Sequence, residues 1–160
     1  MTPYQKYISY FEDIANRHPA INWFYELDEE EILQGLRNDV QYPCMFLEIP
    51  EISFADNGSN TDSITPIGLV VLSACAPGDQ AEKRDTLISH EAIIFDIIRQ
   101  MREDDRTGQL HLNTNQISYA KVGPHFENCY GWRLDARLQL WADLHYKEEN
   151  YVPYNPNKFA

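Results

Sequence analysis

From residue 132 to residue 146 the chain alternates. Trp132, Leu134, Ala136, Leu138, Leu140, Ala142, Leu144 and Tyr146 take the even positions, and Arg133, Asp135, Arg137, Gln139, Asp143 and His145 take odd ones. A side-chain period of two puts the first set on one face of a β-strand and the second on the other. Fifteen residues at about 3.3 Å each would span roughly 50 Å, well beyond the usual strand of about five or six residues. Such a strand bends, or its far end is paired by something other than its own small sheet. Either outcome points toward assembly more than toward catalysis.

Upstream the period changes. Tyr4, Tyr7, Ile8, Phe11, Ile14 and Ala15 recur at spacings of three and four, which predicts an amphipathic helix closed by Pro19. A shorter helix is expected over residues 28–37, with Asp28 as cap, Glu31 at the capping-box position and Ile32, Leu33 and Leu36 as its apolar face. Residues 43–50 form an apolar run between prolines, read as a strand near an edge. Residues 55–63 have little to bury and hold an Asn57-Gly58 turn signal, so they read as a polar connection. Residues 67–75 supply the second strand of a long-looped hairpin.

The longest helix starts at Asp79, with Glu82 at the capping-box position, and runs to Met101. Its stripe is Leu87, Ile88, Ile94, Phe95, Ile98 and Met101. Ile93 and Ile97 widen it, so the helix is expected to lie across a sheet and touch a second apolar surface. The charged run through Gly108 ends it. A third strand is expected near 116–122, broken by Gly123-Pro124, and the alternating segment is the fourth.

The expected fold is therefore a single α+β domain over residues 1–148. It has a mostly antiparallel sheet of about four strands in two hairpins, a long helix packed on one face, an N-terminal helix, and the order α-α-β-β-α-β-β. Residues 149–160 form an extended C-terminal arm, because Pro153 and Pro156 exclude a helix. Tyr151, Tyr154 and Phe159 suit docking on a neighbour or on the arm's own domain; a disordered tail is the other reading.

Composition narrows the function. A chain of 160 residues buries a proper core without staples, and a formal charge of −12 with 13 basic residues argues against specific nucleic-acid binding. Cys44, Cys75 and Cys129 lack C-x-x-C spacing and read as buried thiols of a reducing compartment. No signal peptide or membrane-length apolar stretch stands in the sequence, so the product is expected to be soluble and made in the cytoplasm.

Candidate chemistry is sparse. His90-Glu91 begins a zincin-like motif, but Ile94 stands where the second histidine belongs. The polar loop from Asp56 to Asp62 lacks the closing glutamate of a calcium site. His111, His125 and His145 are expected near one end of the last two strands, without a carboxylate or cysteine at ligand spacing. Neither Ser73 nor Ser89 lies in a nucleophile elbow, and the seven glycines build no phosphate loop. No catalytic, cofactor-binding or metal residue is assigned. On the odd face, Arg133, Asp135 and Arg137 form a row of charges, read either as a solvated face or as an interface pairing across subunits. Trp141 interrupts the row with a ring suited to an interface anchor.

With this order of elements the chain resembles the tail-terminator and tail-completion proteins of long-tailed phages and related contractile particles. The helix at Tyr4 to Ala15, the strands at 43–50 and 67–75, the helix from Asp79 to Met101 and the closing pair ending in Gly131-Trp132 to Tyr146 carry the resemblance. It implies a non-enzymatic structural role in a phage or prophage particle assembled in the bacterial cytoplasm. Subunits would form a ring, commonly of six, cap the tail tube and meet the head, using self-association and contacts with other tail or head proteins. No cofactor or membrane is implied. Two other readings are a small dimeric binding or adaptor domain, and an enzyme whose site is assembled from His111, His125 and Asp135.

Overall fold

The computed structural model describes residues 1–27, 40–56, 61–125, 128–142 and 144. Two α-helices and seven strands are found there: α1 (Pro3–Arg17), β1 (Trp23–Leu27), β2 (Cys44–Glu48), β3 (Ser53–Asp56), β4 (Thr61–Ala74), α2 (Gln80–Arg106), β5 (His111–Leu112), β6 (Ser118–His125) and β7 (Cys129–Ala142). A 3-10 turn, Thr114–Gln116, precedes β6.

The expected four-strand, two-hairpin sheet is incorrect. The seven strands form one sheet in the order β1-β2-β4-β7-β5, with β3 also on β4 and β6 also on β7. Its centre is a pair of 14-residue strands, β4 and β7, matched antiparallel along their whole length from Thr61↔Ala142 to Ala74↔Cys129. The length of β7 is thus satisfied inside the subunit. The stretch 55–63, expected to be a polar connection, instead contributes the end of β3 and the start of β4. Its polar residues join the ladder because β7 runs beside them, and Ser63 donates its hydroxyl to the Leu140 carbonyl (3.0 Å).

β1 pairs with β2 in parallel, Trp23 opposite Cys44 and Tyr25 opposite Phe46, so the sheet is mixed. Its run Trp-Phe-Tyr-Glu-Leu lacks alternation because β1 packs apolar side chains on both faces: Phe24 joins one apolar cluster, Trp23 and Tyr25 the other. The expected helix at 28–37 and the arm at 149–160 lie outside the described residues.

Both helices contribute to the core on one face of the sheet. Tyr7, Phe11 and Ile14 of α1 and Ile94, Ile97 and Met101 of α2 are buried with Met45, Leu47, Leu69, Val71, Leu134 and Leu138. α1 begins with a closed capping box, in which the Thr2 hydroxyl accepts from the Gln5 amide and the Gln5 side chain accepts from the Thr2 amide. In α2 the Asp79 carboxylate accepts from the amides of Ala81 and Glu82, but Glu82 turns away to accept from the Ala76 amide at 2.6 Å. The box is half formed, and Glu82 pins the incoming turn instead.

The buried face of α2 is His90, Ile93, Ile94, Ile97, Met101 and Asp104. The sequence stripe had included Ile88 and Phe95, which are 61 % and 38 % exposed. Ile93 and Ile97 are therefore core, and Ile88 and Phe95 lie outside it. The helix also continues through the charged run to Arg106, where the Thr107 amide bonds to the Glu103 carbonyl and Gly108 takes a positive φ of 77°. No helix among the described residues is long and apolar enough to cross a membrane.

Candidate functional site

The opposite face of the sheet carries charge. Side chains at Arg133, Asp135, Arg137 and Gln139 alternate there, as the period of two requires, above Val70, Gly68, Pro66 and Ile64 of β4. Arg133 has ion-pair partners within its own chain. Its guanidinium forks onto both oxygens of Glu48 from β2, one of them at 2.9 Å, and its Nε bonds to Asp135 at 2.9 Å. These partners hold the guanidinium above its ordinary pKa against the opposing effect of burial.

Gly68 makes the crossing possible. A Cβ at this position would overlap the Glu48 carboxylate and crowd the Arg133 guanidinium. Glu48 could not be foreseen as a partner, since it is 85 residues away in sequence. Arg137 is exposed and has no ion-pair partner among the described residues. Trp141 pairs in the ladder with Asp62, but its side chain lies outside the described residues, as do Tyr151, Tyr154 and Phe159.

Next to the charges is an apolar cluster on the same face, built from Cys44, Phe46, Val70 and Leu72 with Trp23, Tyr25 and Tyr42 against it. All three cysteines are free and buried, and burial pushes the Cys44 thiol up. They pack in the interior.

The histidines are not brought together. His111 lies opposite Gln139 and His125 opposite Cys129, ten positions apart on β7, or about 33 Å at the usual strand rise. His145 lies outside the described residues, and no group of three metal-ligating side chains exists among those described. Asp135 is bound to Arg133, so the trio of His111, His125 and Asp135 makes no site.

One polar constellation escaped the sequence reading. His90 is 3 % exposed, with Nε2 at 2.8 Å from the Ser73 hydroxyl and Nδ1 at 3.1 Å from that of Ser89. Ser89 donates its own proton to the Thr86 carbonyl, so Nδ1–H donates to Ser89 and Nε2 accepts from Ser73. Burial holds this imidazole below its ordinary pKa, hence neutral. The Ser73–His90 spacing is that of a nucleophile and its base, yet neither residue lines the two cavities described below. With every hydrogen bond satisfied, the chain of hydroxyls and imidazole pins α2 to β4.

Two cavities flank the helices. The smaller, about 130 Å³, lies under α1, between Tyr7, Tyr10, Leu110 and Leu138. The larger, about 310 Å³, opens along α2 and is lined by Lys83, Arg84, Leu87, Ile88, Glu91 and Trp132. Trp132 fixes its wall by donating to the Leu87 carbonyl at 2.7 Å. Beyond it the rings of Trp132, Tyr119 and Phe95 meet edge to face at 5.4 and 5.5 Å, and the Tyr119 hydroxyl donates to Glu91. This row has a second border. β6 is eight residues long, mostly exposed, and pairs on one side only, with β7, among the described residues.

No protein-family model matches the chain, and no curated protein matches it either.

Proposed function

We propose that this protein is a non-enzymatic structural subunit of a phage or prophage tail, of the tail-terminator or head-tail joining kind, acting by assembly with its own copies and with other tail or head proteins. The observation that carries the reading is the β6 margin. An open strand edge beside exposed Phe95 and Tyr119 is a surface that a subunit ordinarily protects or pairs.

Across the sheet from β6, β1 pairs only with β2 and β3 only with β4 among the described residues, so free edges lie on both sides of the sheet. Two different edges meeting head to tail give a heterologous contact, the kind from which rings close. The charge of −12 suits a lumen through which DNA slides without sticking.

The test is genetic. Deleting the gene from a particle-producing host should leave tail tubes of uncontrolled length, without heads, in negative-stain micrographs, and the intact gene should restore them. Normal-length tails joined to heads in the deletion strain would refute the proposal.

A further inference from the structure

The cavity along α2 has a composition unusual for this chain. Its floor is Leu87, Ile88 and Trp132, and one end carries Lys83 and Arg84, neither of which has a carboxylate partner among the described ion pairs. Lys83 stands over the Tyr130 ring at 4.4 Å. Two cations without an ion-pair partner among the described residues, in a chain of charge −12, set beside exposed Ile88 and the Phe95–Tyr119 pair, make a surface with a basic end and an aromatic end, where Glu91 is held by the Tyr119 hydroxyl. It suits an extended segment with acids before aromatics.

The chain contains such a segment. Residues 148–154 read Glu-Glu-Asn-Tyr-Val-Pro-Tyr. From Glu149 to Tyr154 an extended chain spans about 16 Å at about 3.3 Å per residue. From Arg84 to Phe95 the helix rises about the same distance at 1.5 Å per residue. Acids on Lys83 and Arg84 thus bring Tyr154 to Phe95 and Tyr119.

The direction of β7 decides whose segment it is. β7 starts at Cys129, passes the cavity at Trp132 and ends at Ala142, roughly 33 Å beyond Trp132 along the sheet. At Ala142 the strand is heading away from the cavity. From residue 144, Glu149 reaches at most about 17 Å, too short to return to Lys83. A neighbouring copy placed head to tail has no such limit.

On the reading that the protein assembles, we propose that the α2 cavity is the docking groove for residues 145–160 of a second copy of this chain, acids on Lys83 and Arg84, tyrosines on the aromatic end. Each subunit lends its arm to the next, a heterologous contact that closes a ring.

Cysteine cross-linking of the full chain tests this, because the native thiols are buried. A chain carrying Ile88→Cys is mixed with one carrying Tyr151→Cys, the position that this register sets opposite Ile88, and oxidised. A disulfide-linked dimer is expected, reduced at least tenfold by Lys83→Glu/Arg84→Glu and restored when the second chain carries Glu148→Lys/Glu149→Lys. A double-cysteine chain that closes on itself as a monomer would give the groove to its own arm and overturn the proposal. Absence of any cross-link in chains that still oligomerise would overturn the groove alone. Absence of both cross-link and oligomer would overturn the assembly reading with it.

Discussion

Arg133 illustrates how a single residue can be legible in position and illegible in role. Its place on the outer face followed from the alternation, whereas its partner Glu48 and the glycine beneath them are visible only once β2, β4 and β7 lie side by side. Gly68→Ala should displace the Glu48 carboxylate and loosen the Arg133 fork. We expect an intact fold with stability lowered by about 1–3 kcal/mol in urea denaturation, the range for crowding a filled site; unchanged stability would show that Glu48 moves aside freely. His90 gives a pH prediction. Its folded pKa lies below the unfolded value near 6.5, so above that pH neither state binds the proton and stability is whole. As pH falls from about 6.5 toward the folded pKa, only the unfolded state takes the proton. Stability should then drop by at most about 1.4 kcal/mol per pH unit. Urea midpoints measured from pH 8 to 5 check this, and His90→Gln should flatten that part of the profile.

At the scale of elements, strong periodicity was readable and weak periodicity was not. α1, most of α2 and the even-odd faces of β7 follow from spacing, because each buries one stripe against one partner. β1 was missed since both its faces carry packed apolar side chains, and the start of β4 since its polar residues are held by a long partner strand and not by burial of hydrophobes. The phase of α2 was misassigned for a related reason. Apolar residues run most of the way around it, and only the sheet contact decides that Ile93 and Ile97 face the core while Ile88 and Phe95 line an outer groove. The β7 register makes its own prediction. Leu138 is 1 % exposed and sits on the helix-facing side opposite Thr65. Leu138→Ala should therefore cost about 2–5 kcal/mol in thermal or urea unfolding, and a loss below about 0.5 kcal/mol, typical of surface changes, would contradict this packing.

For the whole molecule, the sheet is wider than its sequence suggested and satisfies its long strands internally, so strand length itself is not what calls for a partner. What remains open is the margin: strand edges on both sides, an aromatic row, and a basic groove on an acidic chain. The candidate surface was only partly legible, because α2 and β6 build it from residues whose apolar character looked like core. The most direct check on assembly is the mass of the full-length protein by sedimentation equilibrium over a hundredfold range of concentration. Closure predicts one fixed multiple of 18.7 kDa that does not grow further with concentration. A mass of 18.7 kDa at every concentration would contradict the account.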